Sequence, residues 1–272
     1  MRQLLSSLLT IAVGVAIGFP LFLYFFQERL LFFPRSISAA DSAVVAKQHA
    51  VEEVRLKATD GVTLHGWLIK AAGSEPLPLI LYFGGNAEEV SWLAGRAGAF
   101  PGWSLLLVNY RGYGLSEGAP TERELFSDAL QVYDYAARRG DVDPRRMVAM
   151  GRSLGSGVAT YLATQRPLRA VALISPYDSI AALAQGVYPY VPVSLLLRHR
   201  FDSLSRAPTI RVPLLMLTAN DDTTIPLAHS RKLFEAWGGP KEAHTIAHAG
   251  HDDIVADPQY WDNLSRFLRS QQ

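Results

Sequence analysis

The chain contains no cysteine. That excludes a disulfide framework, a thiol nucleophile and a thiolate zinc site, while leaving the compartment open. Charge is scarce as well: Asp, Glu, Lys and Arg make up 19% of the residues and the formal net charge is +1. A near-neutral chain gives no electrostatic reason to propose a nucleic-acid partner. No internal repeat and no low-complexity tract interrupts it. What is abundant is apolar: hydrophobic residues reach 49% over 272 residues, enough for one α/β domain of about 220 residues with a large core.

The longest uncharged stretch, Leu4 to Phe26, lies at the amino end. As a helix it would span about 34 Å, the thickness of a bilayer core. Pro20 is tolerated in such a helix, and Tyr24, Phe25, Phe26, Phe32 and Phe33 resemble an interfacial aromatic belt. A cleaved signal peptide would have a shorter apolar core followed by small residues; this run ends in Phe22-Leu23-Tyr24-Phe25-Phe26-Gln27-Glu28-Arg29. A buried helix of the globular domain is the remaining alternative, disfavoured by length. The reading is therefore one N-terminal transmembrane helix within residues 1–30, a connector over 31–50 and a single folded domain over 51–272. Arg2 and the terminal amine nearly balance Arg29 and Arg35, so the positive-inside count does not set orientation. A single anchor ahead of a large domain suggests a domain outside the cytoplasm.

Within the domain, Gly151-Arg152-Ser153-Leu154-Gly155 follows the apolar run Met147–Met150 and precedes a helical segment. Gly-x-Ser-x-Gly between a strand and a helix is a nucleophile elbow. The flanking glycines let the strand and helix approach without a Cβ clash, and the helix N-terminus presents N–H groups to a developing oxyanion. Such a serine is followed in the chain by an acid and then a histidine. Val212–Ala219 reads as a buried strand, and Asp221-Asp222 follow it; either is placed to be the acid. His244–His248 ends in Ala249-Gly250-His251-Asp252-Asp253. His251 is preferred as the base, because His244 lies inside the strand and His248 closes it. A metal cluster around His248-x-x-His251 is disfavoured for want of a second ligand group. After the apolar strand Leu77–Phe83 come Gly84-Gly85-Asn86; the oxyanion donors are expected to be the N–H groups of Leu154 and Asn86, with Gly85 as the alternative to Asn86. A plain strand-to-helix turn with Asn86 as N-cap explains the same residues, and both can hold together.

The remaining elements follow from periodicity and caps. Glu53–Ala58 and Val62–Lys70 read as a strand pair, Ser104–Asn109 and Arg169–Ser175 as buried strands, Thr121–Arg139 as a helix with a Thr121/Glu124 capping box, stopped by Gly140, and Pro258–Ser270 as an amphipathic helix. Apolar strands alternating with helices imply a mostly parallel sheet covered on both faces. Residues 176–211 carry Tyr177, Val187, Tyr188, Pro189, Tyr190, Val191, Pro192, Leu195, Leu196 and Leu197; they form either an apolar acyl pocket or lid or a helix packed on the sheet.

Residues 50–270 resemble the α/β-hydrolase superfamily, and within it the small membrane-anchored hydrolases labelled serine-aminopeptidase-like or dienelactone-hydrolase-like. Besides the elbow, Gly84-Gly85-Asn86-Ala87 resembles the oxyanion loop His-Gly-Asn-Ala. Asn109-Tyr110-Arg111-Gly112-Tyr113-Gly114-Leu115-Ser116-Glu117-Gly118 resembles Asp-Tyr-Arg-Gly-Tyr-Gly-x-Ser-x-Gly. Asp222-Thr223-Thr224-Ile225-Pro226 resembles Asp-x-x-Val-Pro, and Gly250-His251-Asp252-Asp253 resembles Gly-His-Asn-Asp. The resemblance implies Asp222, rather than Asp221, as the acid of a Ser153-Asp222-His251 triad. Gly84 and Asn109 depart from the pattern without removing a catalytic atom. The implied activity is hydrolysis of a small-molecule or lipid-like carboxylic ester or thioester through an acyl-enzyme, with no metal or cofactor required. A peptidase with the same triad, or a hydrolase-fold binding protein without activity, are the alternatives.

Overall fold

The computed structural model describes residues 2–47 and 51–272; the last three residues expected in the connector, 48–50, lie outside them. The apolar runs become strands β1 (Val51–Lys57), β2 (Thr63–Ile69), β3 (Leu77–Phe83), β4 (Ser104–Val108), β5 (Val142–Arg152), β6 (Ala170–Ile174), β7 (Leu214–Ala219) and β8 (Lys241–Ile246). Among the described residues they form one eight-stranded sheet in the order β1-β2-β4-β3-β5-β6-β7-β8. β2 runs antiparallel to both its neighbours, and the other pairs are parallel. This is the α/β-hydrolase fold.

Side chains alternate across each strand, so the central strands feed two cores. Leu79, Leu81, Phe83, Met147 and Ala149 face helices α3 (Glu122–Ala137) and α4 (Leu154–Gln165). Ile80, Tyr82, Val148 and Met150 face the 3-10 segment Val90–Ala99 and the terminal helix α9 (Pro258–Arg269). Buried on both faces, these strands read as continuous apolar runs. β5 begins at Val142, earlier than its apolar core Met147–Met150, because Val142 pairs with Leu77 before the register shifts. β8 stops at Ile246, so His248 does not close it and instead takes a positive φ of 58° in the following turn. Thr121 caps α3 through Glu124 N–H at 3.2 Å. The reciprocal half of the expected capping box is not made; the Glu124 carboxylate pairs with Arg123 and Arg111 instead.

The amino end is a single helix α1 (Arg2–Leu31) that continues through Pro20. Its stretch Gly14–Leu31 is long and apolar enough to cross a membrane. Leu4, Leu8, Ile11, Val15, Phe22 and Phe25 stand exposed along it, while the last turns dock on the domain. Gln27 is buried; its Nε2 donates to the Leu196 carbonyl at 3.3 Å and its Oε1 accepts from Arg198 N–H at 2.7 Å. Glu28 pairs with Arg198 at 3.3 Å, and Phe32 packs edge-on against His199 and Phe201. The connector is ordered where described: Gly114 N–H donates to the Arg35 carbonyl, and helix α2 (Ala39–Ala46) starts at a Ser38 cap.

Residues 176–211 fold into helices α5 (Ile180–Val187), α6 (Val193–Leu196) and α7 (Ser203–Arg206). α5 buries none of its residues fully, but Ile180 and Leu183 pack part-buried against the core. α5 and α6 turn their apolar sides toward the last turns of α1, enclosing a cleft. Helix α8 (Leu227–Ala236) completes the layer beside β7.

Two glycines set how closely α4 approaches the sheet. A Cβ on Gly155 would lie 2.0 Å from the Phe83 carbonyl oxygen, and one on Gly151 would lie 2.3 Å from the Gly155 carbonyl oxygen. Gly155→Ala is expected to destabilise the chain by about 3 kcal/mol, the upper range for overpacking. Gly98→Ala, where a Cβ meets nothing within 4 Å, should change stability by no more than about 1 kcal/mol. Urea unfolding of the detergent-solubilised chain, followed by circular dichroism, checks both.

Candidate active site

β5 delivers Ser153 to a tight turn ahead of α4, where it holds φ 50° and ψ −117°. A positive φ costs a non-glycine residue of order 1–3 kcal/mol and persists only where the surroundings enforce it. Here the Ser153 N–H donates to the Ile174 carbonyl at 2.9 Å, and the glycine contacts hold α4 against β3. The turn lifts the hydroxyl out of the strand while leaving the residue only 9% exposed.

Asp222 and His251 reach the same point from the loops after β7 and β8. His251 Nε2 lies 2.9 Å from Ser153 Oγ, and His251 Nδ1 lies 2.8 Å from Asp222 Oδ2. With the ring proton on Nδ1 and donated to the carboxylate, Nε2 is free to accept from the hydroxyl. The other Asp222 oxygen accepts the N–H groups of Thr224 at 2.9 Å and Ile225 at 2.7 Å. Burial pushes the Asp222 carboxyl up, but the hydrogen bonds from His251 and the Ile225 N–H outweigh it and leave the group below its ordinary value. Asp221 is turned away: its N–H bonds the Ala249 carbonyl, its carboxylate accepts from Asn220, and it is exposed. His244 lies on the outer strand β8 beside Arg266 and Glu242. The geometry therefore brings together Ser153, Asp222 and His251 and leaves Asp221 and His244 outside.

Of the expected oxyanion donors, Gly85 is excluded. Its N–H is taken by Glu88 Oε2 at 2.6 Å. The N–H groups of Leu154, at the start of α4, and of Asn86 have no acceptor among the described residues. The Asn86 side chain does not cap a helix. Its Oδ1 accepts from Phe33 N–H at 3.0 Å and Tyr113 OH at 2.8 Å, and its Nδ2 donates to the Leu31 carbonyl at 2.6 Å. The end of α1 thus grips the loop that carries the Asn86 N–H.

A buried pair that sequence reasoning passed over joins the three loops. Glu88 accepts from Tyr82 OH at 2.5 Å, Gly85 N–H at 2.6 Å, Trp92 Nε1 at 2.9 Å and Arg152 Nη1 at 3.0 Å. Arg152 Nη2 donates to the His251 carbonyl at 3.0 Å and to Asp252 at 3.3 Å. The oxyanion loop, the elbow and the histidine loop are tied through one carboxylate and one guanidinium. The signal available was a charged residue in each of two otherwise small-residue motifs, Arg152 inside the elbow and Glu88 after Asn86. Where Asn109 stands in place of the expected aspartate, its side chain still binds the loop, accepting from Val90 N–H at 3.2 Å and donating to Glu89 at 2.9 Å.

A family profile described as the prolyl oligopeptidase family matches residues 119–264, a span that contains Ser153, Asp222 and His251. An uncharacterized protein of Mycobacterium tuberculosis is 34% identical over 260 residues, covering 93% of this chain and 91% of its own. An uncharacterized membrane protein of Saccharomyces cerevisiae is 29% identical, covering 97% and 94%. Among solved structures, the Pyrococcus furiosus esterase superposes with a TM-score of 0.69 at 16% identity, covering 88% of this chain and 97% of that one.

Removing one member of a buried ion pair leaves the other uncompensated, at about 3–5 kcal/mol. Glu88→Gln is expected to lower unfolding free energy by about 3 kcal/mol. Glu88→Gln combined with Arg152→Met should lose less than the two single losses added together. A double-mutant cycle of urea unfolding checks this.

Proposed function

The chain belongs to the prolyl oligopeptidase family within the α/β-hydrolase superfamily, and from that premise we propose that it is a membrane-anchored serine hydrolase of carboxylic esters or thioesters. The observation that carries the reading is the continuous relay from Ser153 Oγ through His251 to Asp222, with bonds of 2.9 and 2.8 Å. His251 Nε2 takes the Ser153 proton as Oγ attacks the acyl carbonyl. Asp222, held ionised, fixes the Nδ1–H tautomer and stabilises the imidazolium that forms. The N–H groups of Leu154 and Asn86 receive the oxyanion, aided by the positive end of α4. Collapse expels the alcohol or thiol, which takes the proton from His251. A water deprotonated by His251 then attacks the acyl-enzyme, and its collapse restores Ser153. None of these steps needs a metal or a cofactor.

Residues 1–30 serve as the anchor in this reading, 31–50 as the connector and 51–272 as the catalytic domain. The apolar exposed length of α1 supports membrane insertion, and the membrane designation of the yeast relative agrees with it. The domain lies outside the cytoplasm, as for a single anchor ahead of a large folded domain. A small-molecule or lipid-like acyl ester is the favoured substrate because helices α5 and α6, which form a cap over the end of α1, turn apolar side chains into the cleft between them. The name of the matching family favours a second reading, cleavage of a peptide bond by the same three residues.

Kinetics of the purified full chain in detergent separate these. With p-nitrophenyl esters, acyl thioesters and peptide nitroanilides side by side, esters or thioesters are expected to be turned over. Ser153→Ala and His251→Ala should each lower kcat by about 10⁴-fold or more, the scale of triad removal. Turnover of the anilides alone would favour the peptidase. No turnover of any substrate by a folded chain would favour a binding protein.

A further inference from the structure

The end of α1, having docked on the cap, leaves a cleft of about 130 Å³ between them. Leu23, Leu30 and Leu31 form one wall, and Ala184, Val191 and Leu196 the other. The one amide at its edge, Gln27, is already bonded to the cap backbone on both sides. The cleft therefore offers an occupant apolar contact and little else. It is comparable in size to the ~150 Å³ apolar cavity that takes a benzene-sized molecule, which corresponds to a run of about six carbons.

Its two ends have different neighbours. Leu23 lies next to the exposed apolar side chains Phe22, Phe25 and Phe26 on the helix long enough to cross a bilayer. At the other end, the Leu31 carbonyl accepts from Asn86 Nδ2 at 2.6 Å. The adjoining Gly85 sits against the nucleophile, since a Cβ built on it would be 3.5 Å from Ser153 Cβ. Leu31, which lines the cleft, is thus bonded to the loop that passes beside Ser153.

We propose that this cleft holds the acyl chain of the substrate, so that the anchor helix is one wall of the acyl site and the chain enters from the bilayer side. The proposal rests on the ester or thioester reading above and adds to it the location and chemistry of specificity. Each pair of methylenes that it buries should raise kcat/KM about tenfold.

The test uses the detergent-solubilised full chain with p-nitrophenyl butyrate and p-nitrophenyl dodecanoate. Wild type is expected to prefer the dodecanoate by at least tenfold in kcat/KM. Ala184→Trp, which fills the cleft, should lower the dodecanoate-to-butyrate ratio by about tenfold or more, and Leu196→Trp, from the opposite end of the cap, should do the same if the first variant fails to fold. Val187→Trp, on the same helix but 68% exposed and outside the cleft, should keep the wild-type ratio within about twofold. Butyrate hydrolysis with no preference for the longer chain, or equal ratios in the cleft and surface variants, would overturn the proposal while leaving the esterase reading intact. Hydrolysis of neither ester would remove the reading beneath it. For the chain's chemical source, the arms are a dodecanoyl glycerol ester and an S-dodecanoyl cysteine peptide; sensitivity of either to Ala184→Trp supports the cleft, and insensitivity of both overturns it.

Discussion

The site depends on one close approach. α4 can start where it does only because Gly155 lets its backbone meet the Phe83 carbonyl, at a spacing with no room for a Cβ. That contact holds the turn in which Ser153 takes its positive φ, and so lifts the hydroxyl toward the loops beyond the sheet. The strain at Ser153 is small beside the burial of β3 and β5 in two cores, which is how a folded chain keeps such a residue in place.

Around that turn, the Glu88 carboxylate gathers donors from Tyr82, Gly85, Trp92 and Arg152. Glu88 and Arg152 tie together the loops after β3, β5 and β8. A buried pair of this kind contributes little net stability but makes wrong arrangements costly, because either charge left alone would be uncompensated. Asn86 extends the same logic outward. Its side chain is held by the backbone at the end of α1, which makes an apolar N-terminal helix a structural neighbour of the loop after β3 rather than a detached tether.

Much of this was legible in the residues themselves. The strands at Leu77–Phe83 and Ser104–Val108 are continuous apolar runs, and the elbow, the acid and the histidine each follow such a run, so local pattern and chain order suffice to find them. The choice between Asp221 and Asp222 was not a matter of spacing. It is made by the Asp221 N–H donating to the Ala249 carbonyl and by the N–H groups of Thr224 and Ile225 donating to the Asp222 carboxylate, bonds which tertiary folding creates. Gly85 reads as a possible donor because nothing local shows that Glu88, three residues on, folds back onto its N–H. The Glu88–Arg152 pair and the seating of Gln27 between α1 and the cap join residues 64 and 169 or more positions apart. Such pairings have no periodicity to read. The connector's helix α2 is short and its only local signal is the Ser38 cap.

Everything proposed for this chain requires Ser153 to be an activated nucleophile. The most direct measurement is reaction of the folded full chain with a fluorophosphonate probe, followed by digestion and mass spectrometry to locate the adduct. One adduct is expected, on Ser153, formed by wild type and lost in His251→Ala. An adduct on another residue, or equal labelling of wild type and His251→Ala, would contradict it.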